Sequence, residues 1–386
     1  MKTISAAKKK VAVLVESTRS YSRELILGIA QYQSEHKNWE VEFTPRGRDE
    51  PLPEWLKSWK GDGILARIED RRMLRLLLAK EIPVVDLRRF IPHPSIPQIG
   101  PNDRKIVQMV FEHFRTRRAK RFAFVGPVAK EHPALDRRFS CFRDLVRSEG
   151  AELIEIRLSE QLENKKQVAA HLRRRIQAMA FGTAILAATD DWGLTVLESC
   201  RALGRSVPND LLVAGVGNDR CLCELALPKL TSVDLNAKHI GYLAAEMLQK
   251  MMKRSFVPPQ ETFVEPRFVI ARSSTDMISV DDPYVRRAVQ FIRSNVDKKI
   301  VVGDVVKYAH LCRVALENHF RKVLGHSIFQ EIMSVKIEAV KERLAQTDLP
   351  VKSIAFETGF VDPMYMMRVF QKLTGETIKE YRRKFF

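Results

Sequence analysis

The chain has 386 residues, 45% of them hydrophobic and 29% charged, proportions that are ordinary for a globular protein of two or three domains. Its formal net charge of +18 favours a polyanionic partner, with nucleic acid before an acidic membrane surface, although most of the positive excess lies before residue 276. The N-terminal apolar run is too short for a signal peptide, and no later segment could span a bilayer, so we expect a cytoplasmic protein with no membrane partner. The five cysteines include no CxxC pair, and we expect them to be reduced thiols.

Short β-branched segments alternate with amphipathic stretches from Val11 to about Leu235. Apolar runs without polar alternation are typical of parallel strands that helices cover on both faces. The pattern therefore predicts an α/β fold with two doubly wound, Rossmann-like lobes over residues 1–275. The predicted strands are residues 11–16, 41–45, 63–68, 83–87, 121–126, 183–189, 211–217 and 230–235.

The loops that follow these strands are the expected ligand-binding positions, because open α/β sheets bind ligands beyond the carboxyl ends of their strands. They supply Arg, Asp, Asn, Tyr and Trp side chains, which bind polyhydroxy compounds by hydrogen bonds and ring contacts. A single residue of these types is more often a helix cap or a surface residue, so the prediction concerns the group. The loops are residues 17–23, 67–70, 88–90, 127–138, 190–192 and 217–219.

Catalytic and cofactor motifs are missing from the sequence. It contains no Walker-type phosphate loop, no GxGxxG after the first strand, no GxSxG, no HExxH and no cysteine–histidine zinc spacing. The adjacent Asp190 and Asp191 could suggest acid–base chemistry, but neighbouring side chains in a loop usually point apart, which favours a cap or a ligand hydrogen bond. We expect no catalytic residue, cofactor or metal. A carbohydrate-binding protein or enzyme whose helices serve for oligomerisation stays open as the alternative.

Residues 276–282 lie in the polar stretch SSTDMISVDDP and are predicted to form a linker. Asp282 and Pro283 then supply an N-cap and a proline at the first helical position. The apolar spacing of residues 283–386 predicts a second, all-α domain of seven helices. The expected fold class is thus α/β followed by all-α.

Two similar helix–turn–helix patterns occupy residues 307–327 and 353–377. In each, a short helix and a turn precede a second helix with a buried aromatic residue, Phe320 or Phe370. The helix of residues 328–346, about 28 Å long, connects the two patterns. This length approaches the roughly 34 Å between successive major-groove faces, so the arrangement predicts two DNA-reading helices held by one rigid helix.

The side chains opposite the apolar stripe of each second helix are placed to read DNA. Met364 and Met367 would contact thymine methyl groups, with the alternative that they complete the helical core. The predicted DNA-binding residues are Arg313, Val314, Glu317, Asn318 and Arg321 in the first pattern and Asp362, Met364, Met367, Arg368 and Lys372 in the second.

The C-terminal pattern closely resembles the AraC/XylS family of transcription activators. The resemblance rests on three runs, which are LExxFRKxxGxS at 316–327, IAxxxGF at 354–360 and YxxxxFxKxxGxTxxxYR at 365–382. It implies a domain with two helix–turn–helix motifs that binds double-stranded DNA, and an activator of this kind would also contact RNA polymerase.

The α/β part resembles the periplasmic-binding-protein-like sensor of LacI/GalR regulators. The matching residues are YSR at 21–23, GIA at 28–30, GDGI at 61–64 and NDxxLCEL at 218–225. The resemblance implies a homodimer that responds to a sugar or sugar derivative. The effector-binding residues that it implies are Tyr21, Arg23, Arg138, Asp190 and Asn218.

Position 217 departs from this resemblance, because glycine stands where the family places an aspartate that binds sugar hydroxyls. Several arginines also follow the strand ends. Together these features predict an anionic sugar derivative, or no small ligand at all, in place of a neutral sugar. The arginines are Arg19, Arg23, Arg67, Arg88, Arg137 and Arg138.

Overall fold

The computed structural model describes residues 8–47, 50–91, 93–130, 132–159, 165–254, 260–276 and 282–383. Two α/β lobes precede a helical domain, as the sequence predicts. The predicted linker falls mostly outside the described residues, but its last residue, Asp282, caps the first helix of the helical domain.

Each lobe is built on a six-stranded sheet. The strands are β1 (Lys9–Leu14), β2 (Trp39–Phe43), β3 (Gly63–Ala66), β4 (Val84–Asp86), β5 (Gln98–Pro101), β6 (Arg121–Pro127), β7 (Glu152–Leu158), β8 (Thr183–Ala187), β9 (Leu211–Val216), β10 (Thr231–Val233), β11 (Glu261–Val264) and β12 (Val269–Ile270). The first lobe has the order β11-β5-β4-β3-β1-β2 and is parallel. The second has the order β12-β10-β9-β8-β6-β7, with only β12 antiparallel.

Helices cover both faces of each sheet. Those of the lobes are α1 (Ser20–His36), α2 (Arg71–Leu78), α3 (Asp103–Thr116), α4 (Pro133–Ser148), α5 (Lys165–Gln177), α6 (Asp190–Ala202), α7 (Arg220–Leu225) and α8 (Ala237–Met252). The seven described helices of the helical domain are α9 (Pro283–Ser294), α10 (Val302–Ala309), α11 (Arg313–Leu324), α12 (Ile328–Gln346), α13 (Val351–Glu357), α14 (Pro363–Thr374) and α15 (Ile378–Arg382). Short 3₁₀ turns span Glu54–Leu56 and Ser273–Thr275.

The burial of β1 shows why its sequence lacks polar alternation. Val11 and Val13 pack into the core under α1 and α8. Ala12 and Leu14, which point the other way, enter a second core under α2. A strand that is covered on both faces needs apolar residues at every position.

The chain passes between the lobes near Asn102, Asn236 and Glu265. These crossings lie side by side. Asn102 Nδ2 donates a hydrogen bond to the Glu265 carboxylate at 2.8 Å, and Asn236 Nδ2 donates one to the Glu265 carbonyl at 3.4 Å. A bundle of short crossings is the usual hinge on which two lobes open and close around a ligand.

The helical domain has two separate cores. One surrounds Phe320 of α11 and the other surrounds Phe370 of α14. The connecting helix α12 contributes Ile332 to the first core and Val340 to the second. It therefore ties the two helix–turn–helix units together.

The second helix of each helix–turn–helix unit ends at a glycine, as the sequence predicts. Gly325 and Gly375 follow α11 and α14 with φ of +79° and +77°, a conformation that glycine adopts without steric cost. Ser327 then starts α12 by accepting a hydrogen bond from Gln330 N at 3.2 Å.

Candidate ligand cleft and DNA-binding surface

A cleft of about 390 Å³ lies between the two lobes. Its walls come from the segments after β1, β3, β4, β6, β8 and β9, so the carboxyl ends of strands from both sheets meet there. A cleft of this volume suits a small molecule.

Arg138 lies in this cleft, as predicted, and is buried against Asp103. Its Nη2 and Nε are 3.0 Å and 3.1 Å from Asp103 Oδ1, and its Nη1 donates to the carbonyl of Ala188 at 2.5 Å. The other carboxylate oxygen, Asp103 Oδ2, is buried and has no hydrogen-bond partner among the described residues. Asp103 therefore offers an acceptor to a ligand.

Sequence analysis missed Asp103. It is the first residue of α3, directly after the N-cap Asn102, whose side chain accepts from Lys105 N at 3.2 Å. An acidic residue in the first turn of a helix is common because it opposes the helix dipole, so its position gave no separate signal of binding.

Tyr21 also lines the cleft as predicted, beside the ion pair of Glu16 and Arg67. Arg67 Nη1 lies 2.7 Å from Glu16 Oε1, and its guanidinium carbon lies 5.5 Å from the centroid of the Tyr21 ring. Burial raises the pKa of Tyr21 to about 12, which keeps the phenol protonated. Burial would also raise the pKa of Glu16, but the hydrogen bond from Ser22 and the charge of Arg67 hold it below its usual value.

Asp190 is the third predicted residue that the cleft contains. Its Oδ1 accepts from Ser232 Oγ at 2.5 Å and its Oδ2 from Asp219 N at 2.7 Å. Burial raises its pKa to about 6, and the nearby charge of Asp219 acts in the same direction against these hydrogen bonds. The carboxyl group is thus fixed in orientation while it titrates near neutral pH.

Gly217 borders the same carboxyl group. A Cβ at this position would lie 3.1 Å from Asp190 Oδ2, and the φ of +134° disfavours any other residue. An aspartate here would bring a second carboxylate against Asp190. With glycine at 217, no side chain from this position reaches the Asp190 carboxyl group.

Two of the predicted effector-binding residues, Arg23 and Asn218, are not among the residues that line the cleft. Helix α1 begins at Ser20, so Arg23 lies about 200° around the helix from Tyr21 and faces away. Its Nη1 donates to the carbonyls of Ser17 and Thr18 at 3.2 Å and 2.6 Å. The Asn218 side chain instead accepts a hydrogen bond from Arg272 at 3.0 Å.

The arginines do not make the cleft electropositive. Arg67, Arg88 and Arg138 lie 2.7 Å, 3.7 Å and 3.0 Å from Glu16, Glu69 and Asp103, respectively. Like Arg23, Arg137 lies outside the cleft, and its Nη2 donates to the carbonyl of Arg89 at 3.0 Å. The lining contains five arginines and five carboxylates, so the main reason to expect an anionic ligand is removed.

On α11, the predicted DNA-reading side chains Arg313, Val314, Asn318 and Arg321 are exposed or partly exposed. Glu317 is half-buried, and its Oε2 accepts from the backbone N of Ile328 at 3.5 Å. This hydrogen bond links α11 to the start of α12. The position of Glu317 does not support the predicted contact with DNA.

On α14, Arg368 and Lys372 are exposed and Met364 is 62% exposed, whereas Met367 is half-buried against the core around Phe370, the distal core. Met366, which was not predicted, is the methionine that completes this core. Of the two alternatives for the predicted methionines, exposure on the surface applies to Met364, and partial burial in the core applies to Met367.

Asp362 caps α14. Its carboxylate oxygens accept from the backbone N atoms of Met364 and Tyr365 at 2.9 Å and 3.2 Å. These bonds fix the start of α14, so the structure gives Asp362 a capping role.

Membrane-spanning and metal-binding features are both missing from the parts of the chain that the structure describes. No helix in those parts is both long and apolar enough to cross a membrane. Over the same residues, no group of three or more His, Cys, Asp or Glu side chains is placed to hold a metal ion.

Known families match this chain in three consecutive segments. Residues 10–94 match the family described as XylR N-terminal domain, residues 111–275 match a periplasmic binding protein-like domain, and residues 305–384 match a helix-turn-helix domain. The first segment lies in the first lobe, the second contains most of the second lobe together with α8 and β11 of the first, and the third lies in the helical domain.

Similarity to individual proteins extends over nearly the whole chain. The xylose operon regulatory protein of Escherichia coli K12 is 29% identical over 382 residues, which cover 97% of this chain and 96% of the relative. The protein of the same name from Haemophilus influenzae is 28% identical over 387 residues, with coverages of 97% and 98%. A solved structure of the xylose-binding transcription activator xylR superposes with a TM-score of 0.68 at 27% identity and covers 98% of both chains.

Proposed function

We propose that this chain, which belongs to the AraC/XylS family of transcription regulators and carries a periplasmic-binding-protein-like sensor, changes its DNA binding when a sugar occupies the cleft between its lobes. The observation that carries the proposal is the prearranged polar cleft. There Asp103 offers a buried acceptor, and Arg138 and Asp190 are held in fixed orientations. Fixed donors and acceptors beside the ring of Tyr21 suit a polyhydroxy ligand.

A neutral sugar fits these charges better than an anionic one, because five carboxylates already balance the five arginines of the cleft. Full-length similarity to xylose operon regulators supports a pentose. D-xylose is therefore the first compound to test, although Gly217 removes one acceptor that the resemblance leads us to expect. Ligand that bridges the lobes would close them about the hinge.

For the DNA-binding surface, we propose that α11 and α14 enter successive major grooves and that Arg313, Asn318 and Arg368 contact base edges. Two chains, joined through their sensors as a homodimer, would read direct-repeat half-sites in the cytoplasm. Regulation of sugar-use genes by activation would add a contact with RNA polymerase.

The effector is tested by a thermal-shift screen of the full chain against neutral pentoses, hexoses and uronic acids. A neutral pentose at a hundred times its dissociation constant is expected to stabilise the protein by about 2.7 kcal/mol. Stabilisation by uronic acids alone would contradict the neutral-sugar proposal. No stabilisation by any sugar, for a protein shown to be folded, would contradict a sugar effector.

Asp190→Asn is expected to weaken binding of the best sugar by about 1.5–3 kcal/mol, because it removes a charged acceptor. With a pKa of about 6, raised by burial, the wild-type carboxyl ionises as the pH rises through that value, and affinity for a hydroxyl donor should rise with it. The same ionisation lowers the stability of the ligand-free protein. Because its pKa is raised on folding, the Asp190 carboxyl group stabilises the folded state fully below pH 3.8, the usual pKa of the group. This stabilisation is lost as the pH rises through about 6.

Titration calorimetry at pH values on both sides of this transition measures the change in affinity. The Asp190→Asn variant is expected to lose the rise in affinity, whereas Asp144→Asn, which changes an exposed carboxylate on α4, should keep it. An identical pH dependence in the wild type and the Asp190→Asn variant would show that Asp190 does not contact the ligand.

Arg368→Ala is expected to weaken binding to a duplex selected from a random pool by about 1–3 kcal/mol and to relax base preference at one position. Arg343→Ala is the matched control. It removes the same charge from α12, where Arg343 is paired with Glu357 at 3.5 Å. Electrophoretic mobility shifts at constant salt measure both variants. Equal losses of DNA affinity in the two variants would mean that Arg368 contributes only a non-specific positive charge. No loss of affinity in the Arg368→Ala variant would favour the alternative that the helices serve only for oligomerisation.

A further inference from the structure

Arg118 has an unusual backbone for its residue type. It follows Arg117, the C-cap of α3, and its φ is +61°, in the left-handed region that most helices reserve for glycine after their last turn. Lys37, Arg254 and His310 adopt the same conformation near the ends of other helices, so the contacts of the Arg118 side chain, and not its backbone, carry the argument.

The Arg118 side chain leaves the second lobe and reaches the helical domain. Its Nη1 donates to the carbonyl of Val323, and its Nη2 donates to the carbonyl of Leu324 at 2.5 Å. Both carbonyls belong to the last turn of α11, where a helix has no backbone donors left and carries partial negative charge. A guanidinium with two parallel donors matches this pair of acceptors.

The adjacent residue reinforces the contact. Arg117 is buried, donates from Nε to the carbonyl of Thr275 at 3.0 Å, and places Nη2 3.8 Å from Glu338 of α12. Glu338 also lies 3.4 Å from Arg293 of α9. The C-terminal end of α3 thus contacts two helices of the helical domain, α11 and α12.

We propose that Arg118 is a positioning residue that fixes the proximal recognition helix α11 on the second lobe of the sensor. The opposite end of α3 begins with Asp103, which holds Arg138 in the cleft. Fourteen residues, about 21 Å of rigid helix, separate the cleft from the attachment of α11. A movement of α3 when the lobes close is therefore transmitted directly to the orientation of α11. This inference goes beyond the proposed function, since it holds for any cleft ligand.

The exposed native cysteines allow a direct test in the full chain. Cys221 lies on α7 of the second lobe and Cys312 directly precedes α11, whereas Cys200 and Cys223 are buried. With the half-buried Cys141 changed to serine, spin labels on Cys221 and Cys312 report the distance between sensor and recognition helix by pulsed double electron–electron resonance. Dilution with unlabelled protein removes distances between chains.

Arg118→Gly is the decisive variant, because glycine accepts the left-handed backbone and leaves the fold intact. It is expected to leave both domains folded, as circular dichroism would show, and to lose the single narrow distance distribution of the wild type. Arg118→Lys, which retains the positive charge on a single donor nitrogen, is expected to restore part of it. Arg115→Ala, which changes an exposed residue of the same helix paired with Glu149 at 3.0 Å, should leave the distribution unchanged.

An unchanged distribution in the Arg118→Gly variant would overturn the proposal. So would equal broadening in the Arg115→Ala control, because the effect would then come from any loss of charge on α3. Failure of the sugar screen would leave these distances unaffected, so the two proposals succeed or fail separately.

Discussion

Replacing Arg138 with methionine is expected to lower the free energy of unfolding of the sensor by about 3–5 kcal/mol. Arg138 and Asp103 are both nearly inaccessible to solvent, and the ion pair at 3.0 Å compensates for their burial. Without the guanidinium, the Asp103 carboxylate is left as a buried, uncompensated charge, and the carbonyl of Ala188 loses its donor. The unfolding transition of the sensor in urea measures the loss.

Arg115→Ala is the matched control for this experiment. The ion pair of Arg115 and Glu149 has the same length, 3.0 Å, but both side chains are largely exposed, so its loss should cost only about 0.2–1 kcal/mol. The double variant Asp103→Asn with Arg138→Met should recover part of the stability, because it removes both charges. Equal costs for the Arg138→Met and Arg115→Ala variants would contradict the assignment of the buried pair as a stability determinant.

Phe370→Ala is expected to destabilise the distal helix–turn–helix unit by about 3–5 kcal/mol. Phe370 is fully buried among Ile354, Met366 and Ile378, and truncation leaves a cavity in a small core. Because the proximal core around Phe320 is separate, the loss should be confined to one half of the domain.

Hydrogen exchange resolved by peptide measures this confinement. Peptides from α13 and α14 are expected to lose protection, and peptides from α11 should keep it. Leu373→Ala serves as the control, since Leu373 lies on the same helix but is 52% exposed. Loss of protection across α11 as well would mean that the two units unfold together through α12.

The sequence predicted the strands that have short apolar or β-branched runs, including the edge strand β2, and missed strands of other composition. All eight predicted strand segments are present. In contrast β7 carries Glu152, Glu155 and Arg157 on an edge of the second sheet, and its mixed polarity gave no strand signal. Strand β5 contains glycine and proline, which usually mark turns, and forms only through its neighbours in the first sheet.

The ligand site was harder to predict, because it depends on where helices begin. Tyr21 and Arg23 appeared equivalent in the loop after the first strand, yet the start of α1 at Ser20 sends only Tyr21 into the cleft. Asp103 resembled an ordinary first-turn residue until its partner Arg138, 35 positions later, was placed beside it. Local patterns carry no information on such distant pairings.

The helix that both helical cores share limits how this protein can fit its operator. Helix α12 has nineteen residues, about 28 Å, against roughly 34 Å for a full turn of B-form DNA. On the proposal that α11 and α14 enter successive grooves, two units joined by a rigid helix of this length would favour a duplex that curves towards the protein. The energy of that curvature depends on the base steps between the two contact sites, and pyrimidine–purine steps bend most easily. Part of the operator sequence would then be selected by its stiffness at positions that no side chain touches.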